Sequence, residues 1–487
     1  MTIPLPTELT ALAHIFRDAG FPLYAVGGMV RNACLGLPVQ DMDVASPMPV
    51  SEARALLEAR GVACREKGAF FGTLDIELGE YTFEYASFRA EEYGAGGAHR
   101  PGAVRFGATL EEDAFRRDFT VNALYYDILG QRLIDPTGGL ADLKARIIRA
   151  TSPDPNVILR DDGLRVLRMA RFAAELGFSV EPGTLAAAQA NAAGVLDISA
   201  ERVREELDKL LLADIRYGLG RERVLYGLST LAETEALAAV LPEIAAGAGI
   251  AQRPEYHAYD VQEHMLRACA CAKPERIARL AALLHDVGKP VAFRETGRML
   301  GHDAIGANIS REMLARLKYP NAVKEEVAGL IRWHMFDLNG NAKESTLRRR
   351  FAGWGAAFTL ALADLREADV HGSGRISGEV KSALRWRAVL ARMQAEGAPL
   401  SEAELCCTGA DIMGWLNLPP SPRVGEIKRM LLLHCACHPK DNCRARLGQV
   451  AKDINARRGT GHRFSLHASG FRPETAEQYH KENTGVQ

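Results

Sequence analysis

Residues 25–44 read Ala25-Val26-Gly27-Gly28-Met29-Val30-Arg31-Asn32-Ala33-Cys34-Leu35-Gly36-Leu37-Pro38-Val39-Gln40-Asp41-Met42-Asp43-Val44. Residues i and i+2 of a β-strand point to one face. The spacing therefore predicts that the carboxylates of Asp41 and Asp43 converge, where oxygen ligands can hold a hard divalent cation such as Mg2+. Gly27 and Gly28, lacking Cβ atoms, let backbone N–H groups approach an anion closely. A helix starting near Met29 would aim its positive end at the same anion. A Gly-Gly pair alone marks a turn, and Asp-x-Asp alone a solvated strand edge. The order carries the reading: apolar strand (Pro22 to Val26), Gly-Gly, an arginine at a helix start, then paired carboxylates.

Composition narrows the class. At 487 residues, 47% hydrophobic and 25% charged, the chain has the make-up of a soluble protein of about three or four domains. No basic run followed by an apolar segment opens the sequence, and no apolar stretch reaches the roughly 18 residues a bilayer span needs. Nine cysteines, an odd count scattered through helical patterns, point to reduced thiols and a cytoplasmic location. A formal net charge of −1 excludes a uniformly basic coat, so any RNA contact must use cations concentrated in one groove. No feature of the sequence sets an oligomeric state.

Up to about residue 150 the pattern mixes β-like runs (Thr82 to Phe88, Asp118 to Asp127, Arg132 to Ile134) with helical ones (Ser51 to Arg60), an α/β or α+β arrangement. Beyond Asp161 the spacing turns helical. Leu164, Val166, Leu167, Ala170, Phe172, Ala173 and Leu176 recur at helical intervals up to a stop at Gly177, and further helices follow to about residue 450. Breaks fall at Ser152-Pro153-Asp154-Pro155, near Pro254 and in the Gly-Ser-Gly stretch after His371. The last 30 or so residues, polar and rich in Gly and His, read as a disordered tail.

The opening segment resembles the nucleotidyltransferase signature of the polymerase β superfamily. In its Gly-Gly-x-Val-Arg form it is similar to the CCA-adding tRNA nucleotidyltransferases and bacterial poly(A) polymerases. One departure is Asn32, where these families carry an acid. The resemblance implies a third carboxylate at Glu84, followed by Arg89. Glu111-Glu112-Asp113-Ala114-Phe115-Arg116-Arg117-Asp118-Phe119-Thr120-Val121-Asn122-Ala123 matches a second family motif. There Arg117 offers a planar fork for phosphate oxygens, while Asp118 and Asn122 suit a ribose hydroxyl. Asp135-Pro136-Thr137-Gly138-Gly139 resembles the family's turn.

The resemblance further implies that Asp162 and Arg165 act as a protein template for the Watson–Crick edge of CTP or ATP, with Arg168 and Arg171 facing phosphates. On a continuous helix these four residues, at intervals of three, would stack along one face. The Gly-rich segment from Ala90 to Gly102 lies where relatives that add CCA carry a flexible loop and relatives that add only CC do not.

Farther on, His257-Ala-Tyr-Asp260-Val-Gln-Glu-His264 and Leu-Leu-His285-Asp286-Val-Gly-Lys resemble the HD phosphohydrolase superfamily. Imidazole with carboxylate suits Mn2+, Ni2+, Fe2+ or Mg2+. The resemblance implies His264, His285, Asp286 and Asp369 as ligands, and His302 and His334 match positions that hold a second ion in some members. His434, Cys435, Cys437, His438 and Cys443 read more simply as thiols at a helix end than as a zinc site.

Together these motifs imply an α+β chain: a nucleotidyltransferase head (1–150), a helical neck that recognises the nucleobase (151–250), an HD domain (251–372) and a C-terminal helical RNA-binding region with its tail (373–487). The implied activity adds C, C and A to the tRNA 3′ end from CTP and ATP, with Mg2+ held by Asp41, Asp43 and Glu84, nucleotide held by Gly27, Gly28, Arg31, Arg117, Asp118 and Asn122, and a transition metal or Mg2+ at the HD site. The alternatives are a poly(A) polymerase, an enzyme adding only CC or only A, and an HD phosphohydrolase whose head serves to bind RNA.

Overall fold

The computed structural model describes residues 3–39, 41–68, 73–92 and 103–457. The chain divides into two compact units, Met1–Ala246 with Arg316–Tyr319, and Gly247–Ala315 with Pro320–Gln487. The fold is α+β. The tail, and residues 93–102 of the Gly-rich segment, lie outside the described residues.

The strands gather in the first unit: β1 (Tyr24–Val26), β2 (Met42–Ser46), β3 (Ala63–Gly68), β4 (Thr73–Leu78), β5 (Tyr81–Ser87), β6 (Arg89–Glu92), β7 (Ala103–Phe106), β8 (Tyr125–Asp127) and β9 (Arg132–Ile134). Seven form one mixed sheet in the order β3-β4-β5-β2-β1-β8-β9, and β6 pairs with β7 separately. Alternation explains the sheet. In β5, Phe83, Tyr85 and Ser87 are buried while Thr82 and Glu84 face outward. Beneath it the helix Thr7–Asp18 buries Leu9, Leu12 and Phe16, with the Phe16 ring 5.3 Å from that of Tyr85. Such an aromatic pair contributes about 0.5–1.5 kcal/mol beyond its buried area. A second small core joins Val26, Ala45, Phe88, Ala114 and Tyr125.

One expected strand is mostly not one. Between Asp118 and Asp127 only Tyr125–Asp127 is a strand, Phe119 makes an isolated bridge to Ala150, and Thr120–Asn122 forms a 3-10 turn. The apolar residues Phe119, Val121, Ala123 and Leu124 are all buried, so a buried turn copies the composition of a buried strand.

Helices complete this unit. Leu164–Leu176 is buried at every residue except Arg168, which obliges its polar members Arg165, Arg171 and Glu175 to find partners inside the protein. The second unit is helical throughout its described residues. Val261–Cys271, Arg276–Leu284, His302–Arg316, Asn321–Trp333 and Ala356–Gly372 precede the C-terminal helices Lys381–Ala395, Gly409–Leu416, Pro422–Cys437 and Arg444–Arg457. No helix among the described residues is long and apolar enough to cross a membrane.

Candidate functional site

In the first unit the turn after β1 forms the floor of a cleft of about 400 Å3. Gly27 has φ 64° and ψ −130°, a left-handed backbone that favours glycine. A Cβ there would stand 3.5 Å from both Arg117 Nη1 and Asp43 Oδ2. The helix Gly28–Leu35 starts immediately after it, leaving its first N–H groups without intrahelical acceptors.

Asp41 and Asp43 reach the same cleft from the start of β2. Asp41 lies just before β2 and its side chain is 65% exposed, with Oδ2 taken by Arg216 at 2.8 Å. Asp43 is half-buried within the strand. Its cross-strand partner in the parallel pair is Glu84, which in turn stands opposite Asp75 on β4. Paired positions share a face, so three carboxylates form a row across β2, β5 and β4. Burial, with Glu84 and Asp41 nearby, pushes the Asp43 carboxyl up to about 6 against the pull of Arg117. Negative charge crowded in this way fits a bound divalent cation.

Twelve residues singled out in the sequence line this cleft: Gly27, Gly28, Arg31, Asp41, Asp43, Arg117, Asp118, Asn122, Asp162, Arg165, Arg168 and Arg171. Glu84 is not on the lining and stands beside it through its register with Asp43. The lining also carries Arg116, Leu164, Phe172, Arg202, Lys209 and Arg216, to which sequence reading gave no role. Nine cationic side chains thus face four carboxylates, and the surplus positive charge suits a polyanion.

A hydrogen-bonded web fixes these groups. Buried Asp113, also missed as a site residue, accepts from both Arg116 and Arg117 and from the Tyr125 hydroxyl at 2.6 Å. Asp118 accepts from the Phe119 amide (2.8 Å), Asn122 Nδ2 (3.1 Å) and Arg168 Nε (2.8 Å). Asn122 Oδ1 in turn accepts from Arg31. Asp118 and Asn122 are thus tied to each other and to Arg168 and Arg31.

The expected ladder on the neck helix is also corrected. Asp162 is not on the helix: its backbone is extended (φ −143°, ψ 106°) and closes the preceding helix Pro155–Asp161. Its Oδ1 accepts from the Leu164 amide and its Oδ2 from Arg202. Gly163 after it is required by packing, since a Cβ there would stand 2.3 Å from the Gly194 carbonyl. Buried Arg165 donates to the carbonyls of Ile158 (2.9 Å) and Arg116 (2.8 Å). Arg171 is held by Glu206 and Glu175, and its guanidinium lies over the Phe172 ring at 3.9 Å. Arg171 lines the cleft but is neutralised from inside the protein.

In the second unit, helix ends bring the predicted histidines together. His264 (in Val261–Cys271), His285 (after Arg276–Leu284) and Asp369 (in Ala356–Gly372) offer ligand atoms within 4.8 Å of one another, as do Asp286, His302 and His334. Asp286 joins the two groups. Its Oδ2 lies 3.3 Å from His264 Nε2 and 3.2 Å from His285 Nε2, and its Oδ1 lies 3.2 Å from His302 Nε2. His285, His302 and His334 each direct Nδ1 at a backbone carbonyl, of Ala282, Met299 and Ile331. That assigns the proton to Nδ1 and leaves the Nε2 lone pair facing inward. The Nε2 atoms of His264 and His285 lie 3.1 Å apart, as do those of His302 and His334. Lone pairs converging beside two carboxylates fit divalent cations.

Comparisons with known proteins establish the family. The family model of the poly(A) polymerase head domain matches residues 23–149, that of the probable RNA- and SrmB-binding site of polymerase A matches residues 177–247, and that of the HD domain matches residues 255–371. The chain is 36% identical over 423 residues to the A-adding tRNA nucleotidyltransferase of Deinococcus radiodurans, covering 83% of this chain and 89% of the relative. It is 30% identical over 423 residues to the CCA-adding enzyme of Geobacillus stearothermophilus, covering 86% and 90%. Among solved structures, the CCA-adding enzyme of Bacillus stearothermophilus in complex with CTP superposes with a TM-score of 0.69 at 25% identity, covering 94% of this chain and 99% of that one. The chain belongs to the tRNA nucleotidyltransferase family of the poly(A) polymerase type and carries an HD domain.

Proposed function

We propose that this nucleotidyltransferase adds C, C and A to the 3′ end of tRNA from CTP and ATP. The observation that carries the reading is one cleft uniting the Asp41–Asp43 pair, the Gly27-Gly28 turn, the Asp162–Arg165 pair and nine cations. Asp41, Asp43 and Glu84 would hold Mg2+, which when bound supplies charge neutralisation at the α-phosphate and activates the RNA 3′-hydroxyl. Arg31 and Arg117 place positive charge beside the Gly-Gly turn, suited to the triphosphate. Asp162 accepts and Arg165 donates hydrogen bonds, so rearranged toward the cleft they match a cytosine or adenine edge. In domain terms the head is 1–150, the neck 151–250, the HD domain 251–372 and the RNA-binding region 373–487.

The test is a tRNA lacking its 3′ CCA, with Mg2+ and labelled CTP and ATP. Growth by C, C and A and then arrest, lost on Asp41→Ala, is the expected result. The Deinococcus radiodurans relative, 36% identical and named for adding A, favours a second reading in which A alone is added. In that case only a tRNA already ending in CC is extended. Unlimited A addition would instead mark a poly(A) polymerase.

The six-residue buried cluster of the second unit supports a further reading as a divalent-metal phosphohydrolase. Hydrolysis of 2′,3′-cyclic nucleotides with Mn2+ or Ni2+, lost on Asp286→Asn, tests it. Failure of every metal to support hydrolysis would leave that cluster a structural one.

A further inference from the structure

Asp41 is paired with an arginine that no motif reading picked out. Arg216, at the end of the short helix Ala213–Arg216, donates through Nη2 to Asp41 Oδ2 at 2.8 Å. Its Nε donates to the Tyr217 hydroxyl at 3.2 Å, and its Nη1 lies 4.0 Å from Glu175 Oε1. Tyr217 is itself anchored, accepting from Asn32 Nδ2 at 3.0 Å. Arg216 is 26% exposed at its side chain and lines the same cleft as Gly27, Gly28 and Arg117. A guanidinium and a divalent cation drawn to the same carboxylate repel each other, so the two compete for Asp41.

We propose that Arg216 is a resident counter-ion of Asp41, which gives up the carboxylate when the cation and nucleoside triphosphate enter and then turns its guanidinium to the triphosphate. The inference rests on the transferase reading of Asp41 as a metal ligand. Asp43 is crowded by Asp41 and Glu84, and the Arg216 charge offsets part of that repulsion before substrate arrives. The swing needs only side-chain rotation about the fixed Tyr217 anchor. Afterwards the guanidinium has left an exposed ion pair, weak in water, for a charge-assisted bond to a phosphate oxygen. Arg216 is in this sense a positioning residue whose two partners alternate.

The test titrates Mn2+ without nucleotide, by electron paramagnetic resonance of the free ion, into the full chain, Arg216→Met, Asp41→Asn and the two combined. HD-site binding is common to all four and cancels in the comparison. Arg216→Met should tighten head-site Mn2+ binding about two- to five-fold, the worth of an exposed ion pair, and Asp41→Asn should abolish that gain. In steady-state addition the same variant should raise KM for CTP and ATP about ten-fold, the loss of one charge-assisted bond, with Arg216→Lys in between. If Arg216→Met binds Mn2+ as the parent does while Asp41→Asn weakens it, the counter-ion role is overturned and the transferase reading stands. If Asp41→Asn leaves Mn2+ binding unchanged, Asp41 is no ligand and both fall. Tighter Mn2+ with an unchanged KM would overturn the turn toward the triphosphate.

Discussion

Replacing Asp113 with asparagine isolates the support beneath the cleft arginines. The carboxyl is 1% exposed and accepts from Arg116, Arg117 and Tyr125. Burial opposes its charge, but Arg117 and Arg116 outweigh burial and hold its pKa down from 3.8 to about 2. At about 1.4 kcal/mol per unit, a drop of nearly two units corresponds to roughly 2.5 kcal/mol of folding stability. In a unit of about 250 residues, that lowers the melting temperature by about 5–10 °C. A depressed carboxyl contributes stability above its unfolded pKa and loses it as pH falls through its folded one. Thermal melts of the parent and Asp113→Asn should therefore stay separated from about pH 8 down to about pH 5, and the gap should close only as pH falls from about 4 toward about 2. A gap under about 1 °C at neutral pH, or one that closes between about pH 8 and pH 6, would refute the reasoning, because Asp113 stays ionised throughout that range.

Glu206→Gln removes the buried counter-charge of Arg171 and Arg168 and should destabilise the first unit by about 3 kcal/mol, the cost of stranding a buried ion, read by urea unfolding. Gly288→Ala would set a Cβ 2.2 Å from the His302 carbonyl oxygen and 2.6 Å from the Gly306 amide nitrogen. It should cost about 1–3 kcal/mol and reduce the metal content measured by plasma mass spectrometry. Asp43→Asn should lower the rate of nucleotide addition on the order of 10³-fold, the loss of several kcal/mol of charge stabilisation, with circular dichroism unchanged.

The residues legible in the sequence were those whose role is local or whose order is fixed. Gly27 is readable because one left-handed turn needs it, and the His-Asp step because adjacent residues must end one helix. The cations were not legible. Arg202 and Lys209 lie on Ala200–Leu211, a helix whose charged face reads as solvated, and only the tertiary approach of that helix to Leu164–Leu176 places them on the cleft. Phe172 reads as core, and it is core at 6% exposure, yet Arg31, Arg168 and Arg171 all lie over its ring. Asp162 misled for the opposite reason. Its spacing continues the helical series, but its side chain caps the following amide, an alternative that Asp offers the backbone and that competes with helix.

Asn32 shows how a single departure from the family pattern changes the electrostatics without breaking the geometry. Its Oδ1 accepts from Arg31 Nε at 3.1 Å and Nη2 at 2.9 Å, the two donors a carboxylate there would take. Its Nδ2, which an aspartate lacks, donates to the Pro38 carbonyl at 2.9 Å and to Tyr217 at 3.0 Å. Arg31 is thus oriented entirely by neutral groups, namely Asn32, Asn122 and Tyr217, with Phe172 beneath its guanidinium. Among the described residues, no carboxylate lies within ion-pair distance of it. Burial is the largest influence on its pKa and lowers it, with Glu175 a weaker and more distant counter-charge, so a buried charge persists beside the Gly-Gly turn without a carboxylate in ion-pair contact. Holding such a charge costs stability unless an anion arrives to meet it. The amide that replaces the family's acid therefore fixes the position of Arg31 while leaving its charge for the ligand, and through Tyr217 it ties that position to Arg216 at the opposite carboxylate.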